Sequence, residues 1–228
     1  MLFRSLIGAS GGLGVSCLTV ALSTRAADTG LRSAAVELAG CGGGLDLLFG
    51  AETQVGMTWE ELRHAVGEIG DLTPHLVSAE RVSVLALGRP HGDSPDEAAL
   101  SAVLRSLERS HDMVVVDLGD GARLAELGRR AVPLLMVGAD VRSVAAARMR
   151  ARRINLTGAL LVVRVGKGRG LPPEAVSDAL GLPLAGVVRD DPRVPRLAAQ
   201  GASVGSRPAA RLRRQPRSEE RRVGKECR

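Results

Sequence analysis

The chain has 228 residues, which suits one α/β domain, or one such domain followed by a tail. Its 45% hydrophobic and 25% charged residues are typical of a soluble globular protein, and no apolar run approaches the roughly 20 residues of a transmembrane helix. The aromatic residues are Phe3, Phe49 and Trp59, too few for stacking on nucleic-acid bases as a main activity.

The hydrophobic pattern predicts alternating strands and helices. In chain order these are strand 2–7, helix 16–28, strand 33–38, a glycine turn with a short apolar segment at 41–50, helix 58–69, strand 82–87, helix 96–110, a strand within 111–120, helix 121–131, strand 133–139, helix 143–154, strand 158–166, helix 172–181, strand 184–191 and helix 194–201. Thr58 and Glu61 form a predicted capping box at the start of one helix. Phe49 and Trp59 are predicted core residues.

Several of these strands are continuous apolar runs, as expected for strands buried on both faces of a parallel sheet. The fold class predicted is therefore a three-layer, doubly wound α/β domain with a mostly parallel sheet, spanning residues 1–205. A ligand of such a fold binds outside the carboxyl ends of the strands.

The remaining segment, 206–228, is predicted to be an unstructured basic tail. Residues 207–228 contain nine basic and three acidic residues, which accounts for the net charge of +6 and leaves the rest of the chain neutral. The last twelve residues, RSEERRVGKECR (217–228), resemble a translated sequencing adapter, and we interpret them as an artefact; the alternative is an authentic basic tail.

The cysteines and the N-terminal segment bear on the compartment. Cys17, Cys41 and Cys227 form no CxxC pair, which argues against a disulfide framework or a zinc site. Glycines interrupt the apolar N-terminal stretch by residue 14, which disfavours a secretory signal. The sequence therefore predicts a cytoplasmic protein.

The stretch GASGGLGVSCLT (8–19) joins the first strand to the first helix and resembles a phosphate-binding loop. Gly11, Gly12 and Gly14 would let the backbone N–H groups turn toward an anion, with a helix N-terminus behind them. Ser16 stands where a magnesium-binding hydroxyl is expected. The usual lysine is replaced by Val15. A tight glycine turn that only packs strand against helix is the alternative.

The run VVVDLGD (114–120) is an apolar strand that ends in Asp117, the pattern of an aspartate that holds magnesium opposite the loop hydroxyl. Ser16 and Asp117 are thus the predicted Mg²⁺ ligands. Gly11, Gly12, Gly14, Ser16, Cys17 and Asp117 are the predicted nucleotide-binding residues.

Five segments carry a family resemblance: SLIGASGGLGVSCLTVAL, VELAGCGGGLDLLFGAE, GMTWEEL, HDMVVVDL and GLPLAGVVRDDP. Together they resemble the MinD/ParA superfamily of deviant Walker A ATPases, and most closely its CpaE/TadZ-like branch with the septum site-determining Ssd group. The resemblance covers about residues 2–205. It implies a cytoplasmic P-loop fold, bound ATP or ADP with Mg²⁺, a homodimer, and partners in cell division or in pilus and secretion machinery.

The chain departs from that family at functional positions. The family's signature lysine aligns with Ser10, its P-loop lysine with Val15, and its D-x-D acids with Glu37 and Ala39. These departures predict a degenerate site with weak or no hydrolysis. The branch also implies a receiver-like N-terminal domain, which would make this sequence a shorter relative or one truncated at its N-terminus.

Three functions stay open from the sequence. The first is a septum site-determining or CpaE-like regulator acting through protein contacts. The second is an active ATPase in chromosome partitioning or in pilus and secretion localisation, with arginines replacing the lysines. The third is a nucleotide-independent module that binds protein or DNA. The arginines that could bind DNA are Arg142, Arg148, Arg150, Arg152 and Arg153. Two weaker hypotheses place Arg164 near the nucleotide base, as the resemblance implies, and Lys167 at a phosphate.

Overall fold

A computed structural model describes residues 2–40, 43–88 and 94–205. Eight strands form one sheet. They are β1 (Leu2–Gly8), β2 (Ser33–Glu37), β3 (Val77–Ala79), β4 (Val82–Leu85), β5 (Met113–Asp117), β6 (Val132–Gly138), β7 (Leu160–Val165) and β8 (Leu184–Arg189). The predicted basic tail and the segment 217–228 lie outside the described residues, as do Cys41 and Cys227.

The strand order is β3-β4-β2-β5-β1-β6-β7-β8, and every neighbouring pair is parallel except the β3–β4 hairpin. The central strand β1 lies between β5 and β6, with Leu6 in register with Asp117 on one side and with Leu134 on the other. This order brings the carboxyl ends of β1, β2 and β5 together at one edge of the sheet.

The described residues contain eight helices, of which seven lie between strands and the last follows β8. They are α1 (Val15–Asp28), α2 (Leu45–Phe49), α3 (Trp59–Leu62), α4 (Glu97–Ser110), α5 (Leu124–Leu127), α6 (Val141–Ala151), α7 (Pro173–Leu180) and α8 (Arg193–Ala199). Short 3₁₀ turns follow at Thr73–His75 and Gly128–Arg130. No helix among the described residues is long and apolar enough to cross a membrane.

Alternate residues of β2 enter two separate cores, which is the period expected of a strand covered on both faces. Ala34 and Val36 belong to the cluster that contains Leu100 of α4. Ala35 belongs to the cluster that contains Val20 of α1. The three-layer, mostly parallel α/β fold predicted from the sequence is confirmed.

Most predicted elements match the structure, and the differences lie at α2, α3, α5 and β3. The short apolar segment predicted within 41–50 forms the helix α2 over Leu45–Phe49. The helix predicted at 58–69 ends at Leu62, and Gly67 beyond it has a left-handed φ of 79° that a helix cannot continue through. The helix predicted at 121–131 is reduced to α5 and a 3₁₀ turn. The sequence reading missed β3, whose three residues are too few to show an alternation.

Two local predictions are confirmed. The capping box at α3 is present, with the Thr58 N–H donating to Glu61 Oε2 at 2.7 Å. Trp59 and Phe49 are buried.

Candidate functional site

The glycine loop between β1 and α1 is anchored at its base to the two strands beside β1. The N–H of Gly8 donates to the Gly119 carbonyl at 2.8 Å, and the N–H of Ala9 donates to the Met136 carbonyl at 3.0 Å. Gly12 and Gly14 have left-handed φ values of 73° and 86°, which glycine adopts without strain. The loop therefore has a defined shape at the carboxyl edge of the sheet.

The loop exposes backbone donors. Within the described residues, the N–H groups of Ser10, Gly11 and Gly12 donate no hydrogen bond. Gly14 is the N-cap of α1 and supplies no side-chain cap, and the first turn of that helix contains no acidic residue. Because a helix N-terminus carries uncompensated N–H groups and a partial positive charge, this arrangement suits an anion.

Asp117 lies next to the loop at the end of β5 and is 1% exposed. Its Oδ1 accepts the N–H of Gly119 at 2.9 Å, whereas Oδ2 is buried and has no hydrogen-bond partner of good geometry in the described part of the chain. Burial raises the pKa of this carboxyl, and the Ser16 hydroxyl beside it and the Gly119 N–H act in the opposite direction. An unpartnered buried carboxylate oxygen beside a hydroxyl is an oxygen donor set that Mg²⁺ prefers, so these residues fit the metal.

Glu37 is a second buried acid at this edge, and its side chain has a structural task. Its Oε2 accepts the N–H groups of Leu45 and Leu87, each at 3.2 Å. Its carbonyl accepts the Trp59 Nε1–H at 2.8 Å. Burial raises the pKa of Glu37, and the nearby Asp117 charge raises it further. Glu37 therefore holds the loops after β2 and β4 together.

Two of the substituted family positions are apolar in the structure. Val15, where the lysine is expected, is 9% exposed and belongs to the core. A Cβ at Gly8 would lie 3.1 Å from Val15 Cγ2, so the valine packs against the base of the loop. Ala39, at the second acid position, lies against Gly119, with its Cβ 2.9 Å from where a Cβ of that glycine would stand. Both positions supply contact surface and no charge.

In the part of the chain that the structure describes, Arg164 at the end of β7 contacts the loop. Its Nη1 donates to the carbonyls of Gly12 and Leu13 at 3.0 and 2.7 Å, and its Nε donates to Asp190 Oδ1 at 2.7 Å. The sequence reading assigned Arg164 to the base of a nucleotide. It missed the contact with the loop, since about 150 residues separate the partners and no local pattern marks them.

A cavity of about 570 Å³ lies beside the loop, between α1 and the segment that follows β8. Its lining includes the loop residues Gly12 and Gly14, Cys17 of α1, and Arg164 and Asp190. Cys17 is a free cysteine whose thiol pKa is raised by burial and lowered in part by Arg164. The volume is in the range of small-molecule pockets.

The other basic residues lie away from the loop or have partners. Lys167 is exposed in the turn between Gly166 and Arg169, after β7. On and after α6, Arg142, Arg152 and Arg153 are exposed, while Arg148 donates to the Ala179 carbonyl and Arg150 pairs with Asp120 at 3.7 Å.

The predicted nucleotide-binding residues lie together at the carboxyl edge of the sheet. They are Gly11, Gly12, Gly14, Ser16, Cys17 and Asp117.

Comparison with known proteins agrees with this geometry. No protein-family model matches the chain. The uncharacterized proteins MT3760 and Rv3660c of two Mycobacterium tuberculosis strains are each 34% identical to it over 197 residues, which are 83% of this chain and 55% of theirs. The chain therefore spans about half the length of these relatives.

Solved structures of similar fold include two that contain MinD and one of a ParA family ATPase. The MinC:MinD cell division protein complex of Aquifex aeolicus has a TM-score of 0.73 at 19% identity, over 90% of this chain and 87% of that one. The septum site-determining protein MinD complexed with Mg-ADP from Pyrococcus horikoshii has a TM-score of 0.67 at 19% identity, over 89% of this chain and 87% of that one. A ParA family ATPase of Chlorobium tepidum has a TM-score of 0.67 at 13% identity, over 89% of this chain and 90% of that one.

The strand order and the glycine loop after β1 define a three-layer α/β fold of the P-loop type. More particularly, the fold is similar to that of the solved MinD and ParA family structures, as the sequence resemblance predicts.

Proposed function

We propose that this chain is a septum site-determining or CpaE-like regulator with a degenerate nucleotide site. It binds ADP or ATP with Mg²⁺ weakly, hydrolyses ATP slowly or not at all, and acts through protein contacts. The observation that carries the proposal is the buried, unpartnered Asp117 Oδ2 beside a glycine loop with open N–H groups. A loop with only a packing role would not need a buried carboxylate at this cost in free energy.

Each site residue has a task in the proposed complex. The N–H groups of Gly11, Gly12, Gly14 and Cys17 hold phosphate oxygens, and the cavity beside Cys17 takes the base and ribose. The Ser16 hydroxyl and Asp117 hold Mg²⁺, which when bound offsets the charge of the phosphates. Asp117 must be ionised for this role, so its raised pKa means that metal binding strengthens as pH rises.

Weak binding and slow hydrolysis follow from two apolar positions. Val15 places no positive charge at the β- and γ-phosphates, so a fixed electrostatic contribution to the transition state is missing. Ala39 has no group that accepts a proton from, or orients, an attacking water. An active ATPase would need other residues for both tasks, and Arg164 already donates to the loop carbonyls and Asp190.

We propose that the protein acts by binding other proteins. One structure of similar fold is a MinC:MinD cell division protein complex, which supports a division protein as partner. The homodimer is the state that the family resemblance implies. Pilus or secretion machinery is the counterpart in the CpaE-like alternative. DNA is the less favoured partner because two of the five arginines on and after α6 already have partners on this chain.

A calorimetric titration of the full chain with ADP and ATP, with and without Mg²⁺, tests nucleotide binding. We expect saturable binding that Mg²⁺ strengthens and that Asp117→Ala weakens at least tenfold. No heat with either nucleotide would refute the nucleotide site, and rapid phosphate release lost in Asp117→Ala would establish the active ATPase instead.

The division role is tested in bacteria. Expression of the chain is expected to change the number and spacing of septa counted by fluorescence microscopy, and the Asp117→Ala variant is expected to do so less. Unchanged septa at matched protein levels would argue against the septum role and in favour of the pilus or secretion alternative.

A further inference from the structure

Arg164 contacts the glycine loop from the side of β7, and its contacts involve both the loop and the wall of the cavity. One nitrogen, Nη1, donates to two successive carbonyls of the loop, those of Gly12 and Leu13. Another, Nε, donates to Asp190, which follows β8. The side chain is 25% exposed, so these bonds form in partial shelter from water.

Because peptide groups are planar, the contacts to the two carbonyls also determine where the neighbouring N–H groups point. In a planar trans peptide group the N–H points opposite to the C=O. Holding the Gly12 and Leu13 carbonyls toward Arg164 therefore holds the N–H groups of Leu13 and Gly14 away from it. The guanidinium fixes the direction of donors that a phosphate would use.

The side chain of Arg164 is held by Asp190, which is itself part of a chain of charged side chains. Asp190 Oδ1 accepts from its Nε at 2.7 Å, and the other oxygen of Asp190 lies 3.5 Å from Arg169 Nη1. Arg169 also lies 3.6 Å from Asp140, the N-cap of α6. This chain of charges connects the loop to the ends of β7 and β8.

From these contacts we infer that Arg164 is a positioning residue that sets the glycine loop in its phosphate-binding shape through the Gly12 and Leu13 carbonyls. It compensates for the missing lysine by ordering the backbone, and the phosphate is not its direct partner. The inference rests on the proposed nucleotide site. A planar guanidinium can serve two carbonyls and a carboxylate at once in fixed directions, whereas a lysine ammonium is a compact point charge whose three donors are not held in one plane.

The test compares Arg164→Gln and Arg164→Lys with Arg193→Gln as control. Arg193 is exposed and pairs with Asp191, which lines the same cavity, so its loss removes a charge near the cavity without removing a contact to the loop. Mg-ADP and adenosine are titrated into each protein. Both Arg164 variants are expected to lose about tenfold or more in Mg-ADP affinity with adenosine affinity unchanged, and the control is expected to match the parent.

Two results would overturn the inference. If Arg164→Lys restores Mg-ADP affinity, the charge itself acts on the phosphates and the carbonyl contacts are incidental. If adenosine and Mg-ADP weaken equally, Arg164 serves the cavity and not the loop. Asp190→Asn, which keeps Arg164 but removes its anchor, is expected to weaken Mg-ADP selectively and to a smaller extent; an unchanged affinity would contradict the role of the anchor.

A second readout needs no nucleotide and separates this inference from the proposed function. The N–H groups of Ala9 and Leu18 donate to backbone carbonyls at the two ends of the loop. Their hydrogen exchange is expected to be about tenfold faster in Arg164→Gln than in Arg193→Gln. Unchanged exchange overturns the inference, while faster exchange in a protein that binds no nucleotide refutes only the nucleotide site.

Discussion

Asp117 and Glu37 are register partners at the carboxyl ends of β5 and β2, so two buried acids stand side by side below the glycine loop. Glu37 accepts the N–H groups of Leu45 and Leu87, whereas Asp117 Oδ2 has no hydrogen-bond partner among the residues that the structure describes. The same pair of strand ends therefore holds one acid with a structural role and one acid that we propose as a metal ligand.

Replacing Asp117 by Asn is expected to stabilise the protein while weakening metal-dependent binding. The substitution removes the charge of a buried carboxylate whose Oδ2 has no hydrogen-bond partner among the described residues. We expect this to raise the free energy of unfolding by about 1 kcal/mol at pH 7. Thermal unfolding should then shift upward by roughly 2–4 °C, and Mg²⁺ should no longer strengthen ADP binding.

Asp120→Asn is the matched control for Asp117→Asn. Its side chain is 65% exposed and its partner Arg150 is 3.7 Å away, so the change in stability should be within about 1 kcal/mol and Mg²⁺ dependence should persist. Destabilisation by Asp117→Asn with full Mg²⁺ dependence would contradict the assignment of this carboxylate to the metal.

Restoring a lysine at position 15 tests whether its absence limits affinity. Val15→Lys places an ammonium at the loop and should tighten Mg-ADP binding about tenfold, or about 1.4 kcal/mol. Loss of the buried valine should cost about 1–2 kcal/mol of stability. Calorimetry and urea unfolding measure the two effects.

Val15→Met controls for side-chain length without charge. It should leave Mg-ADP affinity unchanged, and ATP hydrolysis should stay slow in both variants because Ala39 is unaltered. Equal affinities for the lysine and methionine variants would show that charge at position 15 is not the limiting feature.

Trp59 connects the core to the site through its indole N–H, which donates to the Glu37 carbonyl at 2.8 Å. Trp59→Phe leaves that buried carbonyl without its donor and should cost about 1–3 kcal/mol in the free energy of unfolding. Since this is the chain's one tryptophan, circular dichroism must follow the unfolding. The exposed neighbour Glu60→Gln should change stability by no more than about 0.5 kcal/mol, and an equal cost for both would refute the role of the indole bond.

His111 is expected to make stability depend on pH below neutrality. It is 3% exposed, its Nε2 lies 2.9 Å from Ser83 Oγ, and its surroundings include Asp71, Arg32 and Asp112. Burial lowers its pKa in the folded state, so the unfolded chain takes up the proton first. Stability is therefore full above the unfolded pKa near 6.5 and declines as pH falls through that value toward the lowered folded pKa.

Urea unfolding at pH 7.5 and 5.5 measures this decline. The wild-type protein should lose more stability over the interval than His111→Gln, by up to about 1.4 kcal/mol per pH unit. The acids with raised pKa, Glu37 and Asp117, are present in both proteins, so their contributions cancel in the comparison. Exposed His75→Gln should retain the wild-type slope, and a wild-type slope in His111→Gln would refute the assignment.

Local pattern predicted much of this site. The apolar runs, the glycines between β1 and α1, the strand that ends in Asp117 and the capping box at Thr58 are each written in a few adjacent residues. Such signals depend on helix and strand periods, turn conformation and capping, which short stretches determine largely by themselves. The short β3 strand and the early end of α3 were not predictable, since packing and one glycine decide them.

Contacts between distant segments were decided by the tertiary structure alone. Sequence indicated that Asp117 ends a strand, but only the strand order placed it opposite Glu37. Sequence showed the loss of the lysine, but only the approach of β7 brought Arg164 to the Gly12 and Leu13 carbonyls. Hydrophobic periodicity indicates which face of a helix or strand is buried, but it does not indicate which other elements pack against that face. The packing of the sheet determines those neighbours.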